Sequence, residues 1–408
     1  MELRRVGIFS SVLLCLSGPQ AFAKTLVVDN DGADCPQAEF VTIQQAVAAA
    51  EAGDKILVCP GLYSGTVAIS TPDVRIEAQG KPGEVVLQGT GVVGELGIVV
   101  LNTSGVVVQG FTVQGYGRAQ IRIQGGSGNT VRKNVASGGV VNDGIQVTSS
   151  SANVVEENIA DGNRQDGIFV GRITDIPFEP TLDNIIRHNE TLNNRQFGIH
   201  LNGTGPGNVV FGNRSHNNAQ RGIVNAGLSH GNLLENNHAF ANGLNGVGAV
   251  GVGINVVNSS NVTVRNNRSQ GNGTTGIALT AAPAPNVAAN NVVTNNQSDD
   301  NGTTGVILNG ATSSVVEKNE MFRNGQDGVR MFNNAAANAI RWNHIRRSGR
   351  DGIRTEVLPQ NNTIEENLVA ESAEHDAHDD SAGTGTAGTA NFWIDNKCDT
   401  ENRPGLCD

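Results

Sequence analysis

Aromatic side chains are scarce in this chain, with two Trp and two Tyr among 408 residues. A long aromatic platform for stacking sugar rings is therefore not expected. Positive charge is short as well: 28 Lys and Arg against 39 Asp and Glu give a net charge of −11. An acidic surface of this kind suits neither nucleic acid nor an anionic membrane. Beyond residue 16 no apolar run approaches membrane-spanning length, so no membrane insertion is expected.

The first residues read as an export signal. Arg4 and Arg5 precede an apolar run from Val6 to Leu16, and Ala21-Phe22-Ala23 supplies the small residues of a cleavage site after Ala23. Residues 1–23 are thus a secretory signal peptide, placing the mature chain outside the cytoplasm: secreted, periplasmic or on the cell surface. A lipoprotein reading at Cys15 is opposed by Leu14, which is larger than the residue such a site requires. Loss of Glu2, Arg4 and Arg5 leaves 26 basic and 38 acidic residues, a net −12.

What the chain has in abundance is Gly and Asn at regular intervals. Gly followed by Ile or Val recurs at Gly144, Gly167, Gly198, Gly222, Gly253, Gly276, Gly305, Gly328 and Gly352, in steps of 23, 31, 24, 31, 23, 29, 23 and 24. Five steps share one base length and three carry short insertions, which is the signature of a solenoid. A second marker is Asn134, Asn158, Asn189, Asn213, Asn237, Asn267, Asn291, Asn319, Asn343 and Asn367. Between the markers lie short β-branched runs such as 153–158 (Asn-Val-Val-Glu-Glu-Asn) and 184–189 (Asn-Ile-Ile-Arg-His-Asn), which are strands bounded by turns. Three such strands fill one unit, with Asn and Gly taking up the left-handed turn conformation. Coiling this unit gives an all-β, single-stranded, right-handed parallel β-helix of about a dozen coils, about 55–60 Å long at ~4.8 Å per coil. Ile145, Ile168, Ile199, Ile223, Ile254, Ile277, Val306, Val329 and Ile353 should form one inward stack, extended by Ile98, Ile121 and Ala377. The asparagines should form a hydrogen-bonded ladder.

A solenoid leaves unpaired strand edges at both ends, which calls for caps. One convincing helix, 42–52 with Thr42 as N-cap, would close the first coil. Cys35, Cys59, Cys398 and Cys407 remain after the leader is removed, and export favours disulfides. Of three pairings the local one, Cys35 with Cys59 and Cys398 with Cys407, staples each end. The expected layout is cap and first coils over 24–95, repeats over 96–380 and a C-terminal cap over 381–408, in a monomer.

The runs Thr-Ile-Gln-Gln-Ala-Val (42–47), Gly-Asp-Lys-Ile-Leu-Val (53–58) and Pro-Gly-Leu-Tyr (60–63) resemble the entry to right-handed parallel β-helix proteins of the pectin-lyase-like superfamily. The C-terminal runs 375–381, 385–393 and 404–407 resemble an ending shared by many such repeat proteins. The resemblance covers nearly the whole mature chain and implies the fold. Its enzymes are mostly polysaccharide lyases, hydrolases, esterases and uronate epimerases, and other members are adhesins, so the reaction must be argued from the site.

A basic patch stands out against the acidic background. Between residues 317 and 354, eight Lys and Arg face four Asp and Glu. Some of this is ladder pairing between coils, as for Glu317, Arg341 and Glu365, or Arg132, Glu156 and Arg187. The residue after each inward Ile is different, because side chains alternate and it should face solvent. That column reads Gln146, Phe169, His200, Val224, Asn255, Ala278, Ile307, Arg330, Arg354 and then His378. Asp376 takes the glycine slot of the last coil and is expected on the same face. Two stacked arginines repel unless an anion lies between or above them. Arg330, Arg354, Asp376 and His378 are therefore the candidate catalytic set. Asp327, Asp351, Arg350 and His375 enter from the preceding turn as candidate substrate-binding residues.

The chemistry that fits is removal of the C5 proton from a uronic acid. A cation must neutralise the substrate carboxylate, and a base working near neutral pH must take the proton. Arginine matches a carboxylate and histidine is the natural base. The run Asp376-Ala377-His378-Asp379 resembles the Asp-Pro-His-Asp motif of β-helical mannuronan epimerases, whose aspartate and histidine are catalytic; it departs from that motif at Ala377, and no tyrosine lies nearby. Two other readings stand beside it. The same polar run could close the last coil, or Asp376, Asp379 and Asp380 could bind Ca2+. A second surface combines Asp143, Asp166, Arg172 and His200 below an insertion at 172–183. There Val141-Asn142-Asp143-Gly144 is similar to the Asn-Thr-Asp-Gly motif of polygalacturonases, although Asp-Gly-Ile recurs at 166 and 351 as a turn element. Function thus divides between a lyase or C5-epimerase of an acidic polysaccharide and a non-catalytic exported β-helix for glycan binding, adhesion or surface structure.

Overall fold

Each coil is three short strands because Asn and Gly turn residues interrupt the extended chain after three to six residues. One coil runs Asp143–Thr148, Val154–Glu156 and Ile159–Asp161, and the next resumes at Ile168–Gly171. A residue in the left-handed region precedes the Asn that opens each third strand: Glu157 at φ 55°, His188 at 54°, Asn236 at 55° and Lys318 at 54°. The computed structural model describes residues 23–173, 179–244, 250–281 and 287–408, so the leader expected over residues 1–23 falls almost wholly outside them.

Stacking these coils builds three parallel sheets of 13, 15 and 13 strands. The sheet carrying the Gly-Ile marker runs from Val67–Ile69 to His375–Asp379. Its inward column is continuous and in register, Ile98 on Ile121 on Ile145 and so on through Ile353 to Ala377, with Ile223 fully buried between Ile199 and Ile254. The stack expected from the sequence is therefore present throughout.

Three asparagine ladders, not one, run along the coils. They sit five residues apart, as in Asn153, Asn158 and Asn163 or Asn184, Asn189 and Asn194. In each ladder the backbone N–H and the side-chain amide of one Asn both donate to Oδ1 of the next, as from Asn189 to Asn213 at 2.9 and 3.0 Å. Asn213 in turn donates to Ile186 O at 2.8 Å and to Asn237 Oδ1 at 3.0 Å. The ladder expected from the sequence holds except at Asn291. An insertion shifts the phase there, and Asn267 donates instead to Asn296, while Asn291 belongs to the neighbouring ladder. Because one such side chain satisfies two buried donors, Asn213→Ala should cost about 2–4 kcal/mol in chemical denaturation. A loss below about 0.5 kcal/mol would show that water replaces it freely.

The ends are capped as expected. Helix α1 (Ile43–Ala49), somewhat shorter than the sequence suggested, has Thr42 and Gln45 in a reciprocal capping box and buries Ile43, Ala46 and Val47 against the first coil. Disulfides join Cys35 to Cys59 and Cys398 to Cys407. Charge ladders form on the second sheet, with Glu156 on Arg187 at 2.6 Å and Arg341 between Glu317 and Glu365 at 2.9 and 3.6 Å. Arg132 stands opposite Glu156 in register, as expected, and donates to Gln109 at 2.7 Å. No helix among the described residues is long and apolar enough to cross a membrane.

Candidate active site

The glycine of the marker explains what faces outward. A Cβ on Gly167 would lie 2.7 Å from Gly198 O and 2.7 Å from Asn194 Nδ2, so this slot is filled by the neighbouring coil. The slot therefore points into the corner of the coil and not at solvent. The two residues that share the outer face are the one after the inward Ile and the one before the glycine. Much of this face is sunken, because side chains on adjacent coils pack over one another. Gln146, Val224, Asn255 and Ala278 are buried rather than exposed as expected, while His200, Arg330, Arg354 and His378 are half-buried.

Asp143, Asp166 and His200 come together on this face, on three successive coils. Asp166 Oδ1 accepts the backbone N–H of Phe197 at 3.1 Å, which fixes the carboxylate. Its Oδ2 lies 2.8 Å from His200 Nδ1. A carboxylate partner makes Nδ1 the protonated nitrogen and leaves the Nε2 lone pair for another group. That nitrogen makes no hydrogen bond among the described residues. Phe169 and Phe197 stand edge-on to the imidazole, with centroids at 5.5 and 4.9 Å.

Behind the pair, Asp143 is held by Gln146 Nε2 at 2.7 Å and by the Asp166 backbone N–H at 2.9 Å, and Gln146 accepts from Arg122 Nε at 2.7 Å. Burial, aided by the charge of Asp166, pushes the Asp143 carboxyl up to about 7. The folded state then keeps a proton that the unfolded chain releases above 3.8, so stability from this group falls as pH rises from 3.8 towards 7. Asp143→Asn should flatten that part of the melting-temperature profile. Equal slopes for variant and parent would contradict the assignment.

The face also carries a cation that sequence reasoning missed. Arg221 lies in register beside Phe197, with its guanidinium 5.3 Å from the ring centroid. Its Nε is buried without a hydrogen-bond partner, it makes no ion pair among the described residues, and burial lowers its pKa. A desolvated guanidinium without a carboxylate is suited to an anionic ligand. It was missed because it occupies the position before the glycine, where strand alternation gave no direction. On the same strand as His200 (Phe197–Asn202), Asn202 lines a cleft of about 640 Å³ with Arg172, Pro180, Thr204 and Leu228. Arg172 lines this cleft rather than the Asp166–His200 pair itself; residues 174–178 of the insertion lie outside the described residues.

The C-terminal set is arranged differently. Arg330 pairs with Glu356, and Arg350 grips Asp327 through two contacts. Arg354 donates to Asp351 Oδ2 at 2.7 Å and to Asp380 Oδ2 at 3.0 Å. The anions that reconcile the stacked arginines are therefore the protein's own carboxylates. His378 has Arg354 Nη1 3.3 Å from Nδ1 and Asp380 Oδ1 2.9 Å from Nε2, so both ring nitrogens are engaged. His375 lies 3.3 Å from Asp351 Oδ1.

Asp376 is not on this face. In the glycine slot it is buried and accepts backbone N–H groups from Ser372 and Asp399 at 3.0 and 3.1 Å. The calcium trio is likewise not assembled. Asp379 faces the cap interior and accepts from Trp393 Nε1 at 2.8 Å, while Asp380 alone reaches the surface.

A family model described as right handed beta helix region matches residues 90–239, 183–298 and 241–397. Among solved structures, the A-module of Azotobacter vinelandii mannuronan C-5 epimerase AlgE6 is 18% identical with a TM-score of 0.58, over 81% of this chain and 93% of its own. The catalytic unit of the GH87 alpha-1,3-glucanase of Streptomyces thermodiastaticus is 14% identical with a TM-score of 0.56, over 92% and 69%. At these identities the likeness is one of fold. No curated protein matches the chain in sequence. With three parallel sheets coiled about one aliphatic core and the family model matched along most of its length, the chain belongs to the right-handed β-helix family.

Proposed function

We propose that this protein is an exported enzyme that removes the C5 proton from a uronic acid residue of an acidic polysaccharide, as a lyase or C5-epimerase. The observation that carries the reading is the Asp166–His200 pair on one sunken face with Arg221, whose Nε is buried without a hydrogen-bond partner among the described residues. Arg221 takes the substrate carboxylate, whose charge grows as the C5–H bond breaks and its electron pair moves towards the carboxylate. His200 Nε2 takes the proton, and Asp166 stabilises the imidazolium that forms. Asp143, kept neutral below pH about 7, leaves a single negative charge next to the base. In a lyase the electron pair then forms the C4–C5 double bond and expels the glycosidic oxygen. In an epimerase a proton returns to C5 from the opposite face.

The same chemistry can be assigned to the C-terminal set of His378, Arg354 and Arg330, with Asp327, Asp351, Arg350 and His375 around the substrate. There the base would first have to shed Asp380 or Arg354, so we place the base at His200 instead. The two terminal disulfides and the leader support export, and the epimerase and glucanase of similar fold support a polysaccharide substrate. Incubation with alginate and pectate should give new ultraviolet absorbance from unsaturated ends, or an altered proton NMR spectrum without them. Reducing ends released from a neutral glucan, with neither change on the polyuronates, would make the protein a hydrolase instead. Binding without turnover would make it a non-catalytic glycan binder.

A further inference from the structure

We propose that Asp351, His375 and His378 form a site for a divalent first-row transition metal such as zinc, tying the last two coils of the marker sheet together. The three side chains arise from strand register. Asp351 pairs with His375 and Arg354 with His378 on adjacent strands, Asp351–Thr355 and His375–Asp379. One ligand atom from each lies within 4.8 Å of the others. His375 Nδ1 is 3.3 Å from Asp351 Oδ1, and His378 Nδ1 is 3.5 Å from Asp351 Oδ2. Metal–ligand bonds of about 2.0–2.2 Å in a tetrahedral shell put neighbouring ligand atoms about 3.3 Å apart. The cluster is therefore close to the spacing of a first coordination shell before any ion enters.

The donor chemistry selects the ion. Two imidazoles and one carboxylate favour zinc, copper or nickel over calcium or magnesium, which prefer oxygen. The supporting contacts have the usual second-layer form. The backbone N–H of His375 donates to Asp351 Oδ1 at 3.2 Å, and Nε2 of His378 donates to Asp380 Oδ1 at 2.9 Å, which aims its Nδ1 at the ion. Asp351 is fully buried, so its carboxylate cannot wander.

Arg354 is the built-in competitor. Its Nη1 lies 2.7 Å from Asp351 Oδ2 and 3.3 Å from His378 Nδ1, the space the ion would take. Its Nη2 holds Asp380 at 3.0 Å and gives the guanidinium a place to retreat. Arginine alone would neutralise Asp351; it does not account for two imidazoles whose Nδ1 atoms converge on that one carboxylate.

Calorimetric titration of the chelator-treated full chain with zinc, at mildly alkaline pH where imidazole is neutral, tests the site. The parent should bind one equivalent. His375→Ala, a change at a half-exposed side chain, should weaken binding by at least about tenfold. Arg354→Gln should bind more tightly than the parent, and saturating zinc should raise the melting temperature of the parent but not of His375→Ala. No zinc binding by the parent, equal affinity in His375→Ala, or weaker binding in Arg354→Gln would overturn the proposal. The site is independent of the His200 reading, and turnover plays no part in its test.

Discussion

His200→Ala is expected to lower turnover on a uronate polymer by about 10²–10⁴-fold with little change in melting temperature. The loss should appear mainly in kcat, because the imidazole acts on the proton in flight and contributes little to holding the ground-state chain. The fold should tolerate the change. His200 lies on the outer face of the sheet, and its hydrogen bond runs to Asp166. Asp166 would still hold the Phe197 backbone N–H. Arg221→Ala should behave differently from a merely structural loss, with its effect growing as the substrate carboxylate gains charge in the transition state. If His200→Ala retains parental turnover while the polymer is still consumed, the base lies elsewhere, and the His378 set becomes the next place to test.

Ile223→Asp should have the largest effect on stability, about 3–5 kcal/mol, read as a lowered denaturation midpoint. The side chain is fully buried between Ile199 and Ile254, and a carboxylate there meets aliphatic carbon on both adjacent coils. Protonation would remove the charge but not the unmet hydrogen bonds. Because each coil leans on its neighbours, the damage should spread to the adjacent rungs. A variant that melts with the parent would mean that Ile223 does not face the core.

The inward isoleucines were legible because hydrophobic burial is enforced at one position per coil, and the glycine marks the adjacent slot that another coil fills. The asparagine ladders were only partly legible. Asn291 stands 24 residues after Asn267, the base spacing, yet the insertion in that coil moves the true partner to Asn296. The spacing of five between ladders was present in the sequence from Asn153 to Asn163 and was the signal for the other two. The outer face was harder to read, because alternation breaks at the glycine. Alternation consequently puts Asp376 on the wrong side and gives no direction for Arg221, two residues before Ile223. The pairing of Arg330 and Arg354 was hidden for another reason. Their carboxylates, Glu356 and Asp380, lie about one coil further along the sequence and just past the strand ends, so only register brings them together.

Departure of the C5 proton of a uronate on the enzyme is read by proton NMR of alginate and pectate incubated in D2O. The predicted result is loss of the C5 proton signal, either to deuterium at a retained polymer bond or to a new vinylic C4 proton at a cleaved one, in the parent and not in His200→Ala. An unchanged C5 signal on both polymers, with parent and variant alike, would contradict the account.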